Sequence, residues 1–386
     1  MNSAAEVLDL LAKDSSEGTV TRVCAEIADW AKEGHAAELT SLARGLEAAA
    51  TSDKTDAYET VVDLVEDQLA LTQDPVAIDG ILALASEPRL KSLVDPRTEG
   101  ERQCAFASRL GYAQTKEAFA AAFDRAGGKQ RELFACWMHE LVLRRVSLAS
   151  VPAAQALAEE LAKDGHPLGG LPLALRPLER EAPSYMPLYG DRGLTGVLEA
   201  LASGPMSARS MPPPDESKDV KMTEVAVDPA IASAVKPWGS GKKGKIEMRA
   251  FEVTAPIEAR LLGSWLLRAL PLESTKDVPR SGLECKRVTT DAVFGTLFAA
   301  AANGGAHSTG LGGAYGRRAA WTSLAVLAGA APDASIEAIE AAAGRAVFLS
   351  FGASGPWFHD VAWDLGVLAL HGDGRKVVVL AATDAE

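Results

Sequence analysis

The sequence predicts a mostly α-helical protein: an N-terminal helical bundle or irregular α-solenoid, followed by a C-terminal α+β unit with a small antiparallel sheet. Three observations lead to this prediction. Apolar residues recur at helical spacing over residues 1–205. Alternating or β-branched segments follow residue 244. A stretch rich in proline, glycine and charge separates the two regions.

Helical periodicity in the first region is clearest where one apolar face can be traced over several turns. Gly34 follows such a face and is a typical C-terminal cap. Asp74 and Pro75 form a helix start, since a capping side chain precedes a proline in the first turn. Further helices are expected over Lys129–Arg145 and Thr195–Ala202. The first traced face consists of Val20, Val23, Cys24, Ile27, Trp30 and Ala31.

Short helices joined by short loops are typical of α-solenoids, in which helix pairs repeat along the chain. The side chains show no signature at a fixed period, so the pattern fits an irregular bundle equally well. A solenoid would favour a partner-binding surface, whereas a bundle would not.

The domain boundaries follow from composition. Residues 1–205 form the predicted helical domain, 206–244 a linker, and 245–386 the α+β domain. Pro212-Pro213-Pro214 and the glycine- and lysine-rich run at 239–244 mark the linker.

Strands and helices mix in the second domain. Lys245–Thr254, Leu283–Val288, Ala346–Phe351, Val361–His371 and Lys376–Ala382 are predicted strands. Gly372-Asp373-Gly374 is a hairpin signal between the last two. Helices are expected over Ile257–Ala269, Asp291–Ala302, from the glycine-rich loop to Leu327, and over Ser335–Ala343. Four or five antiparallel strands backed by helices fit this order.

Bulk charge argues against several functions. The net charge of −13 and pI of about 5.1 disfavour general nucleic-acid binding and binding to anionic membranes. No apolar run reaches the length of a membrane span, and the N-terminus lacks a signal-peptide pattern. We therefore expect a soluble, cytoplasmic protein.

The cysteines give no sequence signal for a site. Cys24, Cys104, Cys136 and Cys285 are scattered, without C-x-x-C pairs or histidines at ligand spacing. No metal, cofactor or disulfide framework is expected.

A glycine-rich loop over 303–316 is the strongest local feature. Glycines at this density can present backbone amides to an anion, and the following helix adds its positive end. Arg317 and Arg318 add formal charge, so a small anionic ligand or a peptide is the expected partner. The candidate ligand-binding residues are Gly304, Gly305, His307, Gly310, Gly312, Gly313, Tyr315, Gly316, Arg317 and Arg318.

Close helix packing explains the same glycines without a ligand. A helix precedes the loop, so the dinucleotide fingerprint lacks its strand, and no Gly-Lys-Ser/Thr ending marks a P-loop. Under this alternative, Arg317 and Arg318 lie on a solvated face.

His359 and Asp360 are a secondary candidate. On a strand the two side chains would point to opposite faces, so their adjacency does not make a catalytic dyad. Core aromatics with edge-facing polar groups explain this segment as well.

Several strings of the second half resemble an uncharacterised protein family common in actinobacteria. Gly312-Gly313-Ala314-Tyr315-Gly316-Arg317 with Ala320-Trp321 carries one part of the resemblance. The C-terminal strings Val361-Ala362-Trp363-Asp364 and Val379-Leu380-Ala381-Ala382-Thr383-Asp384 carry the other. The resemblance covers roughly the last hundred residues and implies no activity. It implies that the loop and the C-terminal strands belong to one unit.

The sequence favours a cytoplasmic interaction or ligand-binding protein: the helical domain would bind a protein partner, and the loop an anion or peptide. The alternative is an enzyme of unrecognised type that uses the loop to hold an anion, with His307, His359 or Asp360 as acid or base. A third hypothesis is a purely structural or immunity-type protein whose only activity is to bind another protein.

Overall fold

A computed structural model describes residues 3–49, 55–87, 98–189, 220–240, 244–359 and 363–384. The chain divides into two compact units. The first comprises Met1–Gly169 with Leu188–Gly193, and the second comprises Gly170–Pro187 with Leu194–Glu386.

The first unit is built from α-helices, as the periodicity predicts. Polar caps start several of them: Thr98 forms a capping box with Glu101, and Asp74 accepts from the Val76 amide. Gly34 ends its helix in the left-handed conformation, which confirms its role as a C-terminal cap. The helices are α1 (Ala4–Lys13), α2 (Glu17–Glu33), α3 (Ala36–Ala49), α4 (Thr55–Leu71), α5 (Pro75–Leu84), α6 (Glu99–Ala113), α7 (Lys116–Ala126), α8 (Arg131–Leu143) and α9 (Pro152–Lys163).

A buried ionic cluster joins three of these helices. Arg102 of α6 pairs with Glu47 of α3 and with Glu66 of α4, the latter at 2.9 Å. All three side chains are buried. Two carboxylates and one guanidinium can be buried together because charge-assisted hydrogen bonds offset part of the cost of removing them from water.

The second unit is organised around a six-stranded antiparallel sheet with the order β1-β2-β6-β5-β4-β3. This confirms the predicted class, with β1 added to the expected strands. The strands are β1 (Met222–Val225), β2 (Lys245–Val253), β3 (Leu283–Val288), β4 (Val347–Ala353), β5 (Asp364–Leu370) and β6 (Lys376–Thr383).

Four α-helices complete the part of this unit that the structure describes. They are α10 (Ser264–Ala269), α11 (Thr290–Asn303), α12 (Gly312–Ala328) and α13 (Ile336–Ala343). Helices α11 and α12 contact the central strands β4, β5 and β6. The alternate side chains of the sheet form a second core with α10 and its flanking loops, including Trp265, Leu266, Leu349 and Val379. The central strands are therefore buried on both faces, which explains why β5 and β6 are almost continuously apolar.

Residues 220–240 belong to this unit, although the sequence places them in the 206–244 linker. Strand β1 pairs with β2, and Ile231, Val235 and Trp238 are buried. The segment Gly170–Pro187, expected in the helical domain, also lies in this unit. The predicted helix Thr195–Ala202 lies outside the described residues.

The predicted helix Ile257–Ala269 is shorter than expected. A 3-10 turn at Ala259–Leu261 precedes α10, and Gly263 between them is extended, with φ of −161°. An extended residue cannot continue a helical hydrogen-bond ladder, so the apolar pattern is divided between two elements.

Over the described residues, none of the helices combines the length and the hydropathy that a bilayer crossing needs.

His371 links the end of β5 to helix α12 and makes stability depend on pH. Its ring packs against Gly329, and its Nε2 is buried, with no hydrogen-bond partner in the part of the chain that the structure describes. Burial lowers the pKa of His371, with Lys376 acting in the same direction and Asp373 and a hydrogen bond to Leu327 opposing. At pH values between this lowered pKa and the ordinary value near 6.5, the histidine is protonated more fully in the unfolded chain than in the folded chain.

We therefore expect the His371 contribution to stability to be complete above about pH 6.5 and to diminish as pH falls toward its folded-state pKa. In His371→Gln, the free energy of unfolding from urea titrations should change less over this range than in wild type. The matched control is His359→Gln, at an exposed histidine. If the pH dependence of the free energy of unfolding is the same in His371→Gln as in wild type, His371 is not its source.

Candidate functional site

The glycine-rich loop joins α11 to α12 as a closed turn. Gly304 adopts φ of +78° and forms an isolated antiparallel bridge with Thr309. The Gly305 amide donates to Ser308 Oγ at 2.9 Å, and the Leu311 amide donates to the Ala301 carbonyl at 2.8 Å. Much of the loop's hydrogen bonding is thus satisfied locally.

Several loop glycines are required by close approach. A Cβ on Gly316 would lie 2.8 Å from the Ala302 Cα, because α12 crosses the end of α11 there. A Cβ on Gly310 would overlap the Ala302 carbonyl, and one on Gly305 would overlap the carboxylate of Asp384. These three positions favour the close-packing interpretation of the loop.

The anion that the loop contacts is a carboxylate of the protein itself. Asp384 is buried, and its Oδ2 accepts from the His307 amide and from Ser308 Oγ, both at 3.1 Å. Its other oxygen, Oδ1, is buried and has no hydrogen-bond partner among the described residues. The amide of His307, a residue that the sequence predicts to bind a ligand, is therefore already engaged.

Arg317 requires a correction, because neither of the two sequence interpretations places it inside the protein. Its side chain is fully buried, and its guanidinium pairs with the buried Glu179 at 2.6 Å and 2.8 Å. The same group donates to the Pro172 carbonyl at 2.9 Å and to the Ala174 carbonyl at 3.3 Å. These bonds leave Arg317 unable to supply charge to a ligand.

The other candidate residues of α12 differ in exposure. Gly313 is buried, Tyr315 is half-buried, and Gly312 is exposed. Arg318 is half-buried, and burial lowers its pKa while the charge of Asp333 opposes this change. A ligand role for these residues and for the exposed His307 ring stays a prediction.

The secondary candidate lies near the same end of the sheet. The amide of the exposed His359 donates to Asp364 Oδ2 at 2.9 Å, and Thr383 Oγ1 donates to Asp364 Oδ1 at 2.6 Å. Asp384, which the loop contacts, follows Thr383 directly, and Thr383 bonds the same Asp364 carboxylate that accepts from the His359 amide. Asp360 lies outside the described residues.

A different constellation, without a signal in the cysteine spacing, is assembled in the first unit. Cys104 of α6 and Cys136 of α8 place their Sγ atoms 3.4 Å apart. Glu132 Oε1 lies 3.3 Å from Cys136 Sγ and 3.8 Å from Cys104 Sγ. We call Cys104, Glu132 and Cys136 the thiol–carboxylate cluster.

His166 orients the carboxylate of this cluster. The Leu168 amide donates to Nδ1 of His166 at 3.2 Å, which leaves the ring proton on Nε2. Nε2 then donates to Glu132 Oε2 at 3.1 Å. Glu132 is therefore held by one oxygen while the other faces both sulfur atoms.

The cluster has the dimensions of a metal site. Around a tetrahedral Zn²⁺, bonds of about 2.3 Å to sulfur and about 2.0 Å to oxygen give S···S edges of about 3.8 Å and S···O edges of about 3.5 Å. The three observed separations of 3.4, 3.3 and 3.8 Å are close to these edges. The ligand atoms lie within 4.8 Å of one another.

Protonation of the thiols competes with any such use. The hydrogen bond with Cys104, together with burial, raises the pKa of Cys136 well above its usual range. A bound cation would stabilise the thiolate form instead, because a coordinating thiol loses its proton.

Sequence spacing could have indicated two of the three residues of this cluster. Glu132 and Cys136 are four residues apart on a predicted helix and therefore share a face. Cys104 lies on another helix, and only tertiary packing of α6 against α8 brings it to them.

The fold and these sites define a mostly helical protein with a C-terminal antiparallel sheet. The chain belongs to a family of unknown function, DUF6183, whose sequence profile matches residues 21–386. The match extends well beyond the C-terminal segment that the resemblance covers. Comparison with curated proteins and with solved structures finds no match.

The buried pair of Glu179 and Arg317 gives a testable expectation. Removing one partner leaves an uncompensated buried charge, so Glu179→Gln and Arg317→Met should each lower the free energy of unfolding by about 3–5 kcal/mol. The double variant Glu179→Met with Arg317→Met should lose less free energy of unfolding than the two single variants lose in total. Urea denaturation followed by tryptophan fluorescence measures these values.

The matched control is Arg318→Met. Within the described residues, Arg318 has no carboxylate at ion-pair distance, so the change should cost less than about 1 kcal/mol. Wild-type stability in Arg317→Met would show that its guanidinium is not committed to Glu179 and would restore it as a ligand-binding candidate.

Proposed function

We propose that this protein is a cytoplasmic ligand-binding protein whose first unit binds a soft divalent cation of the Zn²⁺ class. The observation that carries the proposal is the convergence of two thiols and one carboxylate oxygen at separations of 3.3–3.8 Å. Thiolates select soft or borderline cations, and a carboxylate is compatible with Zn²⁺. A reducing compartment suits the proposal because the site needs free thiols.

The surroundings of the cluster support the same role. The ring of His166 hydrogen-bonds the oxygen of Glu132 that points away from the sulfurs, as outer-shell partners of metal ligands do. Cys136 is buried, whereas Cys104 and Glu132 are half-buried, so the site is reachable from one side. Three protein ligands leave a fourth position for water or for a group from a partner.

We expect the full chain to bind one Zn²⁺, with an affinity that rises with pH because the thiols must lose their protons. Cys136→Ser should weaken binding by at least about 100-fold, and His166→Gln by about 10–100-fold, since outer-shell partners tune affinity on this scale. Competition against a chromophoric chelator gives the affinities. With Co²⁺ as a probe, a thiolate-to-cobalt charge-transfer band reports sulfur ligation.

Cys24→Ser and Cys285→Ser are the matched controls, because each removes a cysteine outside the cluster. Both should bind Zn²⁺ like wild type. Equal affinity in wild type and Cys136→Ser, or a Co²⁺ complex without the charge-transfer band, would exclude the cluster as the site.

Binding of a protein partner by the helical unit is a second candidate function. Two large apolar side chains of this unit, Val76 and Tyr112, are 54% and 41% exposed. A groove of about 190 Å³ lies between α5 and α7. The apolar part of this groove consists of Pro75, Ile78, Ala118 and Ala121.

For this second function, the full chain serves as bait, with Ala121→Glu, at an exposed residue of the groove lining, as the test variant. A charge at the groove should abolish capture of any partner that docks there, because burial of an unpaired carboxylate is costly. Leu311→Glu, at an exposed leucine of the other unit, is the matched control. A partner captured equally by all three chains does not use the groove.

A further inference from the structure

We propose that Cys104 and Cys136 are also an oxidative modification site, at which a small disulfide of the glutathione class closes an intramolecular disulfide between α6 and α8. Their Sγ atoms are 3.4 Å apart. A disulfide bond measures about 2.05 Å, so the two sulfurs must approach by about 1.4 Å. Rotation about the two side chains and a small shift of the helices can supply this distance.

The two thiols differ in access, and this difference sets the order of events. Cys104 is half-buried and can be reached by a small oxidant, whereas Cys136 is only 2% exposed. Cys104 is therefore the thiol that reacts first with the oxidant. Cys136 is the thiol that then attacks the mixed disulfide formed on Cys104.

The chemistry is a pair of thiol–disulfide exchanges. The Cys104 thiol loses its proton to water, and its thiolate attacks one sulfur of glutathione disulfide. This step forms a mixed disulfide and releases one glutathione thiolate, which takes up a proton from water. The Cys136 thiol gives its proton to Glu132 Oε1, which lies 3.3 Å away, and its sulfur attacks Cys104 Sγ. The second glutathione leaves as a thiolate and takes up that proton. The two protein thiols are oxidised, and one glutathione disulfide is reduced to two thiols.

Oxidation and cation binding exclude each other, and this part of the inference rests on the proposed function. A disulfide lacks the two thiolates that a soft cation requires, so of the cluster only Glu132 would remain as a ligand. Conversely, a thiolate bound to Zn²⁺ is a poorer nucleophile. The cluster would thus release its cation when the thiol pool becomes oxidised.

The test uses the full chain with Cys24→Ser and Cys285→Ser, so that only the pair remains among the four cysteines. The chain is treated with chelator and then with glutathione disulfide, and peptide mass spectrometry follows the products. We expect loss of both thiols, a Cys104–Cys136 linked peptide and no retained glutathione. Added Cys136→Ser should trap glutathione on Cys104. Added Cys104→Ser should react at least about tenfold more slowly, because Cys136 is buried.

Two results would overturn the proposal: both thiols remaining free in the metal-free chain, or a mixed disulfide that accumulates although Cys136 is present. Circular dichroism of each variant shows whether it is folded. If a variant does not fold, the chain that retains both Cys104 and Cys136 still shows whether the disulfide forms. A second arm adds Zn²⁺ before the oxidant, which should slow closure at least about tenfold.

The two arms separate this proposal from the proposed function. Closure in the metal-free chain supports the modification site, whether or not Zn²⁺ binds. If Zn²⁺ binds and closure is not slowed, the mutual exclusion is wrong while the disulfide stands. If Zn²⁺ does not bind, the proposed function fails, and the metal-free arm alone decides the modification site.

Discussion

The second unit depends on the ion pair between Arg317 and Glu179, which is fully buried and reinforced by Trp321. The Trp321 Nε1 donates to Glu179 Oε1 at 2.6 Å, the oxygen that also accepts from Arg317. A charge pair without water is stable only when its hydrogen-bonding capacity is satisfied, and carbonyls of residues 172 and 174 complete it. This network binds the segment 170–187 to helix α12. It also removes from the glycine-rich loop one of the charges that made it resemble an anion site.

Local patterns predict most elements of this chain. Helix α2 and strand β6, for example, follow from local pattern alone, because α2 buries one face and β6 buries both. Strand β1 has only four residues and pairs with a strand more than twenty residues away, so its sequence resembles a loop. The break at Leu262-Gly263 before α10 has no signal in the apolar pattern, because the apolar spacing continues through it while the helical backbone does not.

The sites are less predictable, because they depend on contacts between distant residues. Arg317 and Glu179 are separated by 138 positions, so the sequence around Arg317 does not indicate that its side chain is buried. Cys104 and Cys136 are separated by 32 positions, outside any short ligand motif. The sequence could show that the glycines permit close approach. It could not show that the approaching groups are Ala302 and the carboxylate of Asp384.

The order of the sheet has a consequence for association. Strands β1 and β3 are its two edges, and each has a device that limits further strand addition. Strand β1 is short, with four residues, and β3 carries Glu284, Lys286 and Arg287. Short and charged edges disfavour pairing with a strand of another molecule. The highly apolar β5 and β6, which would aggregate readily as free strands, lie in the interior of the sheet, so its growth is limited from both sides.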